Sequence, residues 1–207
     1  MAKIKLTKTE LKAQTDALKR YQRFLPMLQL KKQQLQAEIA GIVHKAEEVL
    51  ARESKARNEL ESWVGLFACA GEQLLGGLVK VESINTSTAN IAGVAVPVFE
   101  SIDTRVKAID AWATPAWTDD AVKAVTGILA LRCERIVLMR QRDLISAELA
   151  TTSQRVNLFE KVKIPECKEN IRVIKIAIGD EQTAAVTRGK IAKGRVPASS
   201  GEEENAA

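Results

Sequence analysis

His44 is the only histidine in 207 residues, so acid–base or metal chemistry would have to be built around it, or from carboxylates and thiols alone. It falls off the apolar seam described below, on a face expected to be exposed. Cys69, Cys133 and Cys167 lie far apart with no paired spacing, which indicates neither a zinc site nor a disulfide framework and leaves reduced thiols as the expectation. The adjacent carboxylates Glu47-Glu48 and Asp119-Asp120 could pair as acid and base, but they occupy positions typical of a helix surface and a helix start. Gly189-Lys190 lacks the upstream glycine of a phosphate-binding loop, and Ile191 stands where that loop needs a magnesium-binding hydroxyl. Gly76-Gly77 carries no dinucleotide fingerprint. No catalytic, cofactor-binding or metal-binding set assembles, so the expectation is a non-enzymatic chain without a cofactor.

The elements around these residues are dominated by one stretch, Thr7 to Trp63, in which apolar residues return at spacings of three and four. One heptad register reads Leu11, Leu18, Leu25, Lys32, Ile39, Ala46, Glu53, Leu60; the other reads Gln14, Tyr21, Leu28, Leu35, Ile42, Val49, Ala56, Trp63. Only Gln14, Lys32 and Glu53 interrupt the seam. A seven-residue repeat held this long is the pattern of a helix supercoiled on another, because a straight helix drifts off such a seam by ~20° per heptad. At 1.5 Å per residue the rod is ~85 Å long. Thr7 with Glu10 forms a capping box at its start. Pro26 lies inside the pattern, which predicts a kink in one continuous helix.

From 64 to 117 the heptads fade. Leu66 to Leu75 reads as a short apolar helix stopped by Gly76-Gly77. Leu78 to Ile84 alternates, with Val79 and Val81 on one face; Asn85 to Asn90 is a polar run of turn formers; Ile91 to Phe99 sets Val94, Val96 and Val98 in step. This predicts a β-hairpin over about 78–99, with Pro97 confined to an edge or a bulge. A lone hairpin is marginal in water, so it should pack on the helices or on a partner. Thr118 with Asp119 and Asp120 starts a second long helix, 118–193, whose seam reads Ile128, Leu131, Arg135, Leu138, Arg142, Ile145, Leu149, Thr152, Val156, Phe159. The pattern then slips by one and resumes as Ile164, Cys167, Ile171, Ile174, Ile178, so that a phase change and a kink coincide beside Pro165. Gly179-Asp180 is a candidate stop, although Ala184 to Lys193 can carry helix further. The tail 194–207 has nothing to bury and is expected to be disordered.

The fold class is therefore mainly α: segments 1–63 and 118–193 form a long antiparallel two-helix coiled coil, and 64–117 forms a small middle module with the hairpin. Counting from Trp63 beside Thr118 sets Thr7–Leu35 alongside roughly Ile145–Ala177. Charged residues make up 28% of the chain and aromatics 4%, as expected where each helix buries a narrow stripe. Nine basic residues precede Glu38 against two acidic ones, Glu10 and Asp16. With Arg155, Lys161, Lys163, Lys168, Arg172 and Lys175 they make one end of the rod positive, which calls for an acidic protein surface, nucleic acid or anionic lipid. The N-terminal residues lack a signal-peptide core and no long uncharged apolar run is present, so the chain is expected to be cytoplasmic with no direct membrane insertion.

Four segments carry a family resemblance: Lys8-Thr-Glu-Leu-Lys12, Leu28-Gln-Leu-Lys-Lys-Gln-Gln-Leu35, Asn90-Ile-Ala-Gly-Val-Ala-Val-Pro-Val-Phe-Glu100 and Arg155-Val-Asn-Leu-Phe-Glu-Lys-Val-Lys-Ile-Pro165, the last followed by Glu169-Asn-Ile-Arg-Val-Ile174. In this order, from Ile4 to about Ile178, they resemble the D subunit of V-type (vacuolar/archaeal) ATPases and ATP synthases. The tail after Gly189 resembles nothing in that family. The resemblance implies a non-catalytic rotor shaft, a central stalk peripheral to the membrane. Its coiled coil enters a head of A and B subunits, and its other end meets the F subunit of the stalk and the funnel subunit, C or d, on the membrane ring.

On that reading Lys8, Lys12, Arg20, Arg155, Lys161, Lys163 and Arg172 are the expected contacts with acidic loops of the head. Val79, Val81, Val94, Val96 and Val98 form a candidate partner face on the hairpin, and Pro26 and Pro165 would make the shaft asymmetric. Trp112 and Trp117 are candidate contacts of the middle module, with burial in a core as the plainer account. Two other readings compete. A non-catalytic helical-hairpin scaffold fits the heptads but does not account for the matched segments. A basic nucleic-acid-binding coiled coil fits the charge, but the chain lacks an aromatic stacking platform and a recognisable recognition helix.

Overall fold

The computed structural model describes residues 5–61, 65, 78–107, 115 and 117–195. Trp63, the expected helix Leu66–Leu75, Gly76-Gly77, Cys69, Trp112 and the tail beyond residue 195 lie outside the described residues. The chain order is helix α1 (Lys8–Glu61), strands β1 (Val79–Ile91) and β2 (Val94–Val106), helix α2 (Thr118–Leu158), a π-helical turn (Phe159–Lys163) and helix α3 (Ile164–Arg195). The fold class is as the sequence predicts: two long helical arms and an antiparallel hairpin between them.

Helix α1 runs 54 residues without interruption through Pro26. Every seam position from Leu11 to Leu60 is buried or partly buried, while most flanking positions are exposed. The heptads thus mark a real stripe. At its start the Thr7 hydroxyl accepts the Glu10 amide at 3.2 Å, as a capping box requires. The reciprocal half is absent: the Glu10 carboxylate accepts instead from Gln14 Nε2, one turn on, at 2.8 Å. That side-chain donor outcompetes the Thr7 amide.

The described residues fall into two compact units, Gln29–Ser153 and a unit joining the segment up to Leu28 with the segment from Gln154. In the first, α1 and α2 run antiparallel. Lys31 meets Glu148 at 2.7 Å, and 22 residues further along α1, Glu53 meets Arg135 at 3.4 Å. The core is Leu35 and Ile42 of α1, Ile145 of α2 and Val96 of β2, joined at its edge by Ile39, Ala89, Ile91, Val94, Leu138 and Leu149. The hairpin therefore packs across both helices, which supplies the cover a two-stranded sheet needs.

The hairpin differs from its prediction in two ways. Its strands are 13 residues each and extend to Val106, and the reversal is at Ala92-Gly93, not within Asn85–Asn90. Both turn residues have positive φ, 50° and 86°, as a type I′ two-residue turn demands. The Asn90 side chain accepts the Gly93 amide at 2.9 Å and fixes the bend. The polar run Asn85–Asn90 instead pairs with Ala95–Ser101; its Ser and Thr residues suit an exposed strand face. One bulge at Glu82 and another at Glu100 offset each other, so the register Val79↔Val106 equals that of Ile91↔Val94.

Helix α2 begins at Thr118, one residue earlier than an N-cap role for that threonine would allow. Thr118 is fully buried, and its hydroxyl donates to the Pro115 carbonyl at 2.7 Å instead of accepting a helix amide. The fully buried stripe of α2 is also shifted from its predicted seam. Cys133, Val137, Gln141 and Ile145 are buried, while Leu131, Arg135, Leu138 and Arg142 are only partly so. The four buried positions follow one another at a step of four, not three and four, and Gln141 and Ile145 meet the hairpin. The Gln141 amide donates to the carbonyl of Pro97, tying the hairpin down at a residue that has no amide hydrogen of its own.

In the second unit Tyr21 of α1 packs on Phe159, ring centroids 4.9 Å apart. Val156, Cys167 and Ile174 are buried. Between them the Ile164 amide reaches back five residues to the Phe159 carbonyl, closing a π turn. The predicted seam steps from Phe159 to Ile164, the same five residues; the phase slip in the sequence is this extra residue in the ring. Pro165, next in line, has no amide to continue the wide ladder, and α geometry resumes. The candidate stop at Gly179-Asp180 does not act as one: α3 continues to Arg195, with 179–194 exposed on every side.

Candidate partner-binding surfaces

The residues expected to face a head divide by their partners. All are in the unit of the chain termini. Lys8, Lys12, Arg20, Arg155 and Lys161 are exposed and form no ion pair among the described residues. Lys163 and Arg172 are already engaged along their own helix. Lys163 is half-buried and binds Glu166 at 3.0 Å; the hydrogen bond to Glu166, reinforced by its charge, holds the Lys163 ammonium above its ordinary range. Arg172 grips Glu169 through two bonds, 2.7 and 3.0 Å, which raises the guanidinium and lowers the carboxyl. These two present a neutralised pair to any partner, so the free positive charge is concentrated on the other five.

On the hairpin, Val96 is fully buried in the chain's own core and Val94 packs against that core. Val79, Val81 and Val98 are half-buried. A ladder of side chains lines the more exposed part of the sheet: Ser83 donates to Asp103 at 2.6 Å, and Asn85 reaches both Asp103 and Ser101. These hydrogen bonds hold the Asp103 carboxyl below its ordinary range.

A groove between α1 and α2 is lined by Val43, Ala46, Glu47, Leu50, Arg135, Met139 and Arg142; it shares Arg135 and Met139 with a hollow on α2 alone, lined also by Ile136, Arg140 and Asp143. Leu50 and Ile136 are 46% and 53% exposed. None of the groove residues packs against the hairpin core. Sequence reasoning missed this surface because Leu50, Ile136 and Met139 fall off the heptad seam, where an isolated apolar residue carries no signal.

His44 is exposed and faces Glu48 at 3.3 Å, one helical turn away. Cys133 and Cys167 are buried, and burial pushes both thiols up, which suits packing and not nucleophilic use. Trp117 is partly buried where α2 begins, its carbonyl accepting the Ala121 amide. No helix among the described residues is long and apolar enough to cross a membrane.

The family profile for the D subunit of ATP synthase matches residues 10–194, which spans α1, the hairpin, α2 and nearly all of α3. The chain belongs to the family of ATP synthase D subunits. A relative from Borreliella burgdorferi, described as the D subunit of a V-type ATP synthase, is 44% identical over 194 residues, 93% of this chain and 95% of the relative. Proteins of the same description from Chlamydia felis and Chlamydia caviae are 30% and 29% identical over 196 residues, covering 94% of each chain. As a member of the D-subunit lineage the chain matches into the last turns of α3, beyond the four segments that carried the resemblance and past Gly189, where none was expected.

Proposed function

We propose that this chain is the central-stalk rotor shaft of a V-type ATPase or ATP synthase, coupling nucleotide turnover in a head of A and B subunits to rotation of the membrane ring. The observation that supports the reading is the filled seam of α1, mostly apolar and buried or partly buried at every position from Leu11 to Leu60. A shaft has to resist bending and sliding along its length, and continuous side-chain interlocking between two helices supplies that resistance. The exposed basic residues support a bearing role. Long charged side chains give many shallow contacts of similar energy, whereas deep apolar pockets would trap one orientation. The uncovered stretch 179–194 is suited to enclosure by other subunits.

In this assignment the chain is non-catalytic, cytoplasmic and peripheral to the membrane, and it needs no cofactor. The middle module, 64–117, makes the membrane-facing connection to the funnel subunit, C or d. The F subunit occupies the surface of Val43, Leu50, Ile136 and Met139, because it is apolar, partly exposed and outside the core that the hairpin covers. Mixing the chain with A and B subunits tests the reading: one copy should enter each hexamer, and no incorporation rejects it. For this surface, Leu50→Glu with Ile136→Glu should abolish copurification of F while helical circular dichroism is retained; undiminished F binding rejects it.

A further inference from the structure

Two interruptions that the sequence shows in the apolar seams, Glu53 in α1 and Arg135 in α2, meet in the structure. Glu53 is 4% exposed. One carboxylate oxygen lies 3.2 Å from Arg57 Nη2 on its own helix, and the other lies 3.4 Å from Arg135 Nε across the seam. That second oxygen and Arg135 Nε are both buried and complete no hydrogen bond among the described residues. Beside this pair, Arg52 and Glu134 stand 3.4 Å apart. Helix α1 thus offers the dipeptide Arg52-Glu53 to the dipeptide Glu134-Arg135 of α2, plus and minus against minus and plus.

We propose that this charge quartet is a register lock, which fixes how far α1 can slide along α2. A buried pair at 3.4 Å without a formed hydrogen bond contributes little attraction once its desolvation is counted. Its effect lies in what happens when it is separated, since a buried charge left without its partner is far more costly than the pair. A one-residue slide sets Glu53 against Glu134 or Arg52 against Arg135. A slide by one heptad, roughly 10 Å, keeps the apolar seams in phase and is the error that hydrophobic packing alone tolerates. In one direction it buries Glu53 against Ile128; in the other it brings Arg142, whose guanidinium is already held by Asp143 at 2.6 and 3.0 Å. Neither alternative gives Glu53 a new partner across the seam; Arg57, on its own helix, moves with it but faces only the other carboxylate oxygen. A single polar pair in an apolar seam specifies register in this way at some cost in stability. If the rotor-shaft reading holds, the lock is also what keeps torque from becoming helix sliding; the lock itself does not depend on that reading.

The contact between Lys31 and Glu148 reports the register, because a zero-length carbodiimide joins an amine and a carboxylate only when they touch. The Lys163–Glu166 product, within one helical arm, is the internal standard. In the full-length chain carrying Glu53→Leu with Arg135→Leu, the Lys31–Glu148 product measured by mass spectrometry should fall at least twofold relative to the standard, while the thermal midpoint stays at or above that of the unaltered chain. Glu53→Gln alone should lower the midpoint. An unchanged crosslink ratio in the leucine pair would overturn the proposal, as would a Glu53→Gln midpoint equal to that of the unaltered chain. If the leucine pair does not fold, Glu53→Gln with Arg135→Met, which keeps both side-chain lengths without charge, is read for the same ratio by the same criterion. A lowered ratio together with undiminished ATP-driven ion transport in the assembled complex would leave the lock standing and remove its role in torque.

Discussion

At Gly93 and Ala92 the chain reverses on two residues that both hold positive φ. A methyl group built on Gly93 meets nothing within 4 Å, so Gly93→Ala tests backbone strain free of steric clash. It should destabilise the hairpin-bearing unit by about 1 kcal/mol, measured by denaturant unfolding. Ala92 already carries such strain, and Ala92→Gly should recover part of it less the packing its methyl makes with the core. The sequence hid this turn because Asn85–Asn90 offered more turn-forming residues than Ala92-Gly93 did. Side-chain composition pointed to the polar run; the register was decided by Asn90, whose carboxamide caps the true reversal four residues before Val94. Glu53 and Arg135 were legible as defects in their own seams. What was not legible was that they face each other, since helix counting from an assumed bend carries an error of several residues.

At the scale of elements, the heptads of α1 were fully readable: every seam position from Leu11 to Leu60 is buried or partly buried. Those of α2 were readable only in part: Ile145, Thr152 and Val156 are buried as its seam predicts, but between residues 131 and 142 the buried positions are Cys133, Val137 and Gln141, the last of them bonded to the hairpin. The hairpin itself has an acid-sensitive brace. Hydrogen bonds from Ser83 and Asn85 depress the Asp103 carboxyl in the folded state, so its contribution is present above the ordinary aspartate range and lost as pH falls through the depressed value. Glu169, lowered by Arg172, behaves with the same sign on α3. Acidification should therefore shift the NMR resonances of strand residues around Asp103 before global unfolding, and Asp103→Asn should remove that early step. If the Asn variant shows the same early step, the brace is not its origin.

For the whole molecule, the charge pattern is the property that sequence conveyed best and structure refined most. Of seven basic residues expected to meet a partner, five form no ion pair among the described residues and two are paired with carboxylates one turn away. Reversing Lys8, Lys12, Arg20, Arg155 and Lys161 to Glu should slow or uncouple ATP hydrolysis in a reconstituted head without changing the circular dichroism of the isolated chain. Adding Lys163→Glu and Arg172→Glu should contribute less per residue to that loss and more to destabilisation, because each breaks an existing pair. Turnover insensitive to all five reversals would show that the bearing does not use these charges.

The five-residue ring at Phe159–Lys163 makes this the place where the polypeptide can change length. Removing one residue elsewhere in α2 or α3 would rotate everything after it by about 100° and turn the apolar side away from its neighbour. Removing Val162, which is 48% exposed, lets the wide ring contract to an ordinary turn and leaves Cys167 and Ile174 pointing where they did. The shortened chain should fold with its downstream contacts intact once Pro165→Ala supplies the amide that the narrower ring requires. Deleting Lys168 should instead turn Ile174, fully buried in the intact chain, away from its neighbour. Insertions and deletions among relatives would on this account collect at the ring and be absent from the turns on either side.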